Sequence, residues 1–161
     1  MLQLQKLLRK NISELTPYSS ARDEYSGEEA IFLDANENPF ESGVNRYPDP
    51  LQVKLKKKIG EIKGIHYENI FLGNGSDEPI DLLIRAFCEP QQDNIVSIKP
   101  TYGMYKVSAD INNVEFREVL LTPDHQIDKE GLLKVANKNS KLLFLCSPNN
   151  PTGNSLEEKE I

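Results

Sequence analysis

The sequence has no tryptophan, and only two cysteines, two methionines and two histidines among its 161 residues. Two cysteines cannot build the disulfide framework of a small secreted domain, which is shorter and richer in them. Cys88 sits in a helical pattern and Cys146 ends an apolar run, so both read as buried thiols of a reducing compartment. An excess of positive charge is also missing. Nineteen Lys and Arg against 25 Asp and Glu leave a net charge of -6, which excludes the basic footprint of a nucleic-acid binder. No stretch approaches the roughly 20 apolar residues of a membrane-spanning helix. The N-terminus carries Lys6, Arg9 and Lys10 where a signal peptide needs an apolar core. The composition therefore points to a soluble cytoplasmic protein with neither nucleic-acid nor membrane partner.

What is present is a hydrophobic fraction of 38%, on the polar side but sufficient for a core. Leu4, Leu7, Leu8, Ile12 and Leu15 form one stripe, predicting an amphipathic helix over residues 2–15 that Thr16-Pro17 ends. A polar connector follows, then a short strand over 31–33 and a turn-rich loop, Asp34-Ala-Asn-Glu-Asn-Pro-Phe40. Asp49-Pro50 reads as an N-cap with proline at the first helical position, and Gly64 as the stop. Leu51, Leu55, Ile59 and Ile62 form the apolar stripe of that helix. Its basic run, Lys54 to Lys58 with Lys63, reads as a solvated face, with an anion-binding patch as the alternative.

From there strands and helices alternate. The pattern predicts strands at 70–72, 94–98, 114–121 and 142–146, with helices at 76–88, 102–111 and 128–136. This is the βαβ grammar of a mostly parallel sheet covered by helices, an α/β fold. Ser155-Leu-Glu-Glu158 has the form of a capping box, with three residues after it. One turn of helix cannot sustain itself, so the expectation is that the chain is a truncated piece.

Three constellations carry chemistry. Gly73-Asn-Gly-Ser-Asp-Glu78 lies between a predicted strand and helix. Its glycines permit close backbone approach, and the free N–H groups of the helix start favour a phosphate; an ordinary strand-to-helix turn explains the same residues. It is neither a Walker A loop nor a GxGxxG fingerprint. Pro100 ends the next strand and projects Tyr102 over its carboxyl end, where the ring can stack on an aromatic cofactor or belong to the core. Tyr105 fits the core role better. The run Leu142 to Cys146 opens into Ser147-Pro-Asn-Asn-Pro-Thr-Gly153, where the prolines fix the loop and Asn150 can bind a ring hydroxyl. Asn149 receives no role. A planar ring with a phosphate tail fits all three, and pyridoxal phosphate fits better than a dinucleotide.

Together with Leu33-Asp-Ala-Asn-Glu-Asn-Pro39 and Asn45-Arg-Tyr-Pro48, these motifs occur in an order that resembles the histidinol-phosphate aminotransferases. These are fold type I enzymes dependent on pyridoxal 5'-phosphate. The likeness runs from about residue 12 onward. It implies a three-layer α/β/α large domain whose first part is 49–161, with residues 1–48 an N-terminal arm and small-domain segment. Ser76 and Asp77 would present N–H groups to the cofactor phosphate, with Glu78 beside them. Tyr102 would stack on the pyridine ring and Asn150 would bind its 3-hydroxyl oxygen. Tyr47 would reach the phosphate or substrate of the partner subunit in a homodimer, the alternative being a ring packed on Pro48 and Pro50. Tyr18 and Asn36 would face substrate. The implied substrates are imidazole-acetol phosphate and L-glutamate, in histidine biosynthesis. An aromatic aminotransferase, a threonine-phosphate decarboxylase and a non-catalytic truncated domain are the alternatives. No lysine here stands in the family's Schiff-base context, so none is assigned, and no catalytic residue is expected in this chain.

Overall fold

The computed structural model describes residues 4–27 and 31–161. Its contacts divide into two units. One comprises Gly73–Ile161 together with the N-terminal segment up to Leu15, and the other is Thr16–Leu72.

The first unit is built on Ile95-Val-Ser-Ile98, which has no exposed position and therefore needs cover on both sides. It is the centre of β1 (Asn94–Lys99), the middle strand of a parallel sheet ordered β2-β1-β3, with β2 at Glu115–Leu120 and β3 at Ser140–Phe144. Alternation along a strand sends neighbouring side chains to opposite faces. Ile95 accordingly joins Ile80, Ile84, Cys88, Tyr105, Ala109 and Val114, beneath α4 (Asp77–Phe87) and α5 (Met104–Ile111). Val96 and Ile98 join Val119, Ile127, Leu132 and Leu156 beneath α6 (Lys129–Val135) on the other face. Helices on both faces of a parallel sheet make the three-layer α/β/α arrangement expected.

Local signals account for several boundaries. The Asp128 carboxylate accepts from the Gly131 N–H at 2.9 Å and caps α6. Gly131 is required there, because a Cβ would meet Val119 at 2.7 Å. Between Asn94 and Ile95 the pairing with β3 slips by one residue, so β3 begins at Ser140 and ends before Leu145 and Cys146. The expected strand at 142–146 is thus shifted toward the N-terminus.

The predicted N-terminal helix is broken. Its residues 2 and 3 lie outside the described residues; the rest forms a single 3-10 turn at Leu4–Lys6 and α1 (Lys10–Ser13). Arg9 breaks it: its N–H is taken by the Ala86 carbonyl at 2.9 Å, and its side chain by Glu89 and the Arg85 carbonyl. Polar contacts tie this segment to the end of α4, while of the predicted stripe Leu7, Leu8 and Ile12 are half-buried and Leu4 and Leu15 exposed.

The second unit contains α2 (Ala21–Glu24) and α3 (Val53–Lys63). Asp49 is not the N-cap expected: its carboxylate accepts from the N–H groups of Leu51 and Val53 at 2.9 and 2.8 Å and closes the turn before the helix, whose N-cap position is Gln52. Gln52 lies in the left-handed region, φ 53°, so α3 begins at Val53 and not at Pro50. Gly64 stops the helix in the left-handed conformation as expected, φ 66°. Leu51, Leu55 and Ile62 of the predicted stripe are exposed, and the lysines face solvent, Lys56 only in part. Residues 31–33 and 70–72 form no strand. A three-residue apolar run becomes a strand only if another strand pairs with it, and among the described residues none does.

Candidate functional site

The loops after β1 and β3 leave the carboxyl ends of adjacent strands, the usual ligand side of an open α/β sheet. Pro100, Thr101 and Tyr102 follow β1, and residues 145–153 follow β3. The Gly73–Ser76 loop enters α4, and its first helical residue binds the β1 loop directly: the Tyr102 hydroxyl donates to Asp77 Oδ1 at 2.8 Å. That bond, first among the causes, raises the Tyr102 pKa and keeps the phenol protonated. The Tyr102 ring meets Tyr105 edge-on at 5.7 Å, and Tyr105 stacks on Phe144 at 4.8 Å. Tyr105 is the buried core ring expected, while Tyr102 is half-buried at the surface of that cluster.

At the start of α4 the N–H groups of Gly75, Ser76 and Asp77 have no protein acceptor among the described residues. Gly75 has φ 70°, and nothing lies within 4 Å of where a Cβ would stand. The result is an open backbone cradle. The Ser76 hydroxyl does not cap the helix, since Ser76 already has helical dihedrals (φ -80°, ψ -22°). Glu78 closes the turn instead, accepting the Asn74 N–H at 2.6 Å. Both acidic side chains are thus engaged by protein donors, and the Ser76 hydroxyl is not spent on capping the helix.

Asn150 is exposed and makes no hydrogen bond among the described residues. Its neighbour Asn149, which sequence reasoning left without a role, is 2% exposed and fully bonded. Residue type does not tell the two apart; what buries Asn149 is its bonding to Pro100 and Thr101, 49 and 48 residues away in sequence.

Tyr18, Asn36 and Tyr47 belong to the second unit, and all three are exposed, Tyr18 at 92%. The backbone N–H of Tyr47 donates to Glu37 Oε1 at 2.8 Å. The Glu37 carboxylate, 5% exposed, also accepts from Arg22 and Arg46, and Arg22 reaches Asp34 at 2.8 Å. Bonds from Arg22, then from the Tyr47 N–H and Arg46, hold the Glu37 carboxyl down at about 2. Neither Glu37 nor Arg22 was singled out from the sequence. Among the described residues, no group of His, Cys, Asp and Glu could hold a metal ion, and no helix is long and apolar enough to cross a membrane.

The profile of the aminotransferase class I and II family matches residues 24–161. The chain belongs to that family. It is 60% identical over its whole length to a histidinol-phosphate aminotransferase of Bacteroides thetaiotaomicron, of which it covers 47%. The chain thus spans about half the length of the curated relatives it matches. Among solved structures, the histidinol-phosphate aminotransferase of Clostridium acetobutylicum superposes with a TM-score of 0.59 at 25% identity, over 73% of this chain and 34% of that one. The Sinorhizobium meliloti histidinol-phosphate aminotransferase, in complex with pyridoxal-5'-phosphate, gives 0.61 at 24% identity over 68% and 29%. The aminotransferase fold type I is therefore the frame into which β1 to β3 and their helices fit.

Proposed function

We propose that this chain supplies the phosphate-, ring- and hydroxyl-binding part of a pyridoxal 5'-phosphate site in a histidinol-phosphate aminotransferase. The observation that carries the reading is the open cradle at Gly75, Ser76 and Asp77, whose unspent N–H groups suit a phosphate dianion. It is tied by Asp77 to the one ring positioned to stack, Tyr102. Ser76 and Asp77 hold the phosphate through their backbone, and Glu78 shapes the loop without touching it. Tyr102 covers one ring face and Asn150 donates to the 3-hydroxyl oxygen. Bound, the cofactor supplies an electron sink for the substrate's α-carbon. The family's lysine, ring-nitrogen aspartate and substrate arginine are assigned to no residue here, so these residues bind and orient.

In the whole enzyme the amino group passes from L-glutamate to imidazole-acetol phosphate, giving L-histidinol phosphate and 2-oxoglutarate, a step of histidine biosynthesis in the cytoplasm. The enzyme is a homodimer in which Tyr47 reaches the site of the partner subunit, and Tyr18 and Asn36 face substrate. Residues 1–48 form the arm and small-domain segment, and 49–161 the first part of the large domain.

The test is turnover by the full-length protein that carries this chain, with pyridoxal phosphate added. L-histidinol phosphate should serve as amino donor to 2-oxoglutarate ahead of tyrosine and phenylalanine. Preference for the aromatic amino acids would replace the substrate assignment, and release of carbon dioxide from threonine phosphate would replace the reaction. Failure to take up pyridoxal phosphate would overturn the reading altogether.

A further inference from the structure

We infer that Asn149 is a positioning residue that fixes the spacing between the loop carrying Tyr102 and the loop carrying Asn150. The inference rests on the cofactor reading above for its purpose, but its geometry stands on its own. Asn149 Nδ2 donates to the Pro100 carbonyl at 3.0 Å and to Thr152 Oγ1 at 2.8 Å. Its Oδ1 accepts from the Thr101 hydroxyl at 3.0 Å. Its backbone N–H and carbonyl close the loop on Asn154 and Gly153 at 2.8 and 2.6 Å. The chain of bonds continues: Thr152 donates to Asn154 Oδ1 at 2.6 Å, and Asn154 Nδ2 to the His125 carbonyl at 2.9 Å.

Every polar atom of this buried side chain is engaged, and its bonds to Thr101 and Pro100 bridge 48 and 49 residues of sequence. Only an amide meets the demand. Aspartate would face the Pro100 carbonyl with an acceptor, and leucine would take away the partner of both the Pro100 carbonyl and the half-buried Thr101 hydroxyl and break the link between the loops. A satisfied buried asparagine often does no more than hold its own loop. This one bonds the residues immediately before Tyr102 while standing immediately before Asn150. A shift at Asn149 therefore moves the proposed stacking ring and hydroxyl-binding amide relative to each other, and a binding constellation needs its contacts held within about 0.5 Å.

The experiment uses the full-length protein and three variants: Asn149→Ala, Thr101→Val, and Leu132→Ala as a core control on the face away from α4 and α5. Two quantities are read, the Kd for pyridoxal phosphate and, without cofactor, hydrogen exchange in the segments 99–105 and 147–154. Asn149→Ala should raise the Kd about tenfold or more and speed exchange in both segments together. Thr101→Val should move both in the same direction by less. Leu132→Ala should lower Tm while leaving the Kd and both segments unchanged. Unchanged Kd and unchanged exchange in 99–105 for Asn149→Ala would overturn the inference, as would an equal loss of affinity in Leu132→Ala. Should Asn149→Ala not fold, Thr101→Val decides on the same two readouts. If the unaltered protein binds no pyridoxal phosphate, the functional reading fails, and the exchange data alone judge Asn149.

Discussion

The Tyr102 hydroxyl donates to Asp77 Oδ1 across 25 residues of sequence, joining the proposed stacking ring to the first residue of α4, the proposed phosphate-binding helix. Because the acceptor is a carboxylate, the bond is of the stronger, charge-assisted kind. It gives the two contacts one shared geometry before any ligand arrives. Tyr102→Phe keeps the ring and removes the tie, so pyridoxal phosphate should bind severalfold more weakly. Tyr102→Ala removes the ring as well and should lose more. Equilibrium titrations of the two variants check the order. In the unaltered protein the Tyr102 phenolate should appear above pH 10 in an ultraviolet titration, as its raised pKa requires.

Glu37 makes the second unit sensitive to acid. Its carboxyl lies at about 2 against an ordinary 4.5, so the folded state favours the charged form. Stability from this group is present in full above pH 4.5 and is lost as pH falls toward about 2. Glu37→Gln cannot ionise. The stability difference between the unaltered protein and Glu37→Gln should therefore be constant from pH 8 to 5 and shrink below it. Denaturant unfolding at stepped pH measures it, and a difference that grows on acidification would contradict the assignment.

Cys88 is buried, and burial first, then the nearby Asp93, pushes its thiol up to about 11. The thiolate is the reactive form. At pH 7.5 in the folded protein, Cys88 should resist maleimide, and it should label once denaturant is added. Mass spectrometry of the labelled peptide distinguishes it from the half-buried Cys146.

The core around β1 should carry most of the first unit's stability. Ile84 and Ile95 are completely buried, so replacing either with alanine should cost about 2–5 kcal/mol. Thermal unfolding measures the loss. Both outer strands present unpaired backbone, with Leu143 of β3 52% exposed and Leu120 of β2 68% exposed. Expressed alone, the 161-residue chain should therefore self-associate, which light scattering after size exclusion would detect.

Much of the first unit was legible because its signals are local. The run Ile95-Val-Ser-Ile98, apolar but for a small serine, points to a strand buried on both faces, Asp128 announces the start of α6, and Tyr105 sits at a helical core position. The parts that escaped depend on partners distant in sequence. Apolar runs at 31–33 and 70–72 look like strands, but pairing decides a strand and no neighbour supplies it here. Arg9 breaks the N-terminal helix for the sake of the Ala86 carbonyl, a contact no helical periodicity can reveal. The same holds at the site. Ser76, Tyr102 and Asn150, the proposed cofactor contacts, are suggested by residue type at loop positions, whereas Asn149 acts through bonds to a segment that only folding brings near.

The central claim is that the Gly73–Asp77 turn, Tyr102 and Asn150 form one pyridoxal phosphate pocket. A crystal structure of the full-length protein grown with pyridoxal phosphate tests it most directly. The account predicts the phosphate within hydrogen-bond distance of the Ser76 and Asp77 N–H groups, the pyridine ring against Tyr102, and the 3-hydroxyl oxygen on Asn150 Nδ2. A cofactor bound elsewhere, or one whose phosphate bypasses the start of α4, would contradict it.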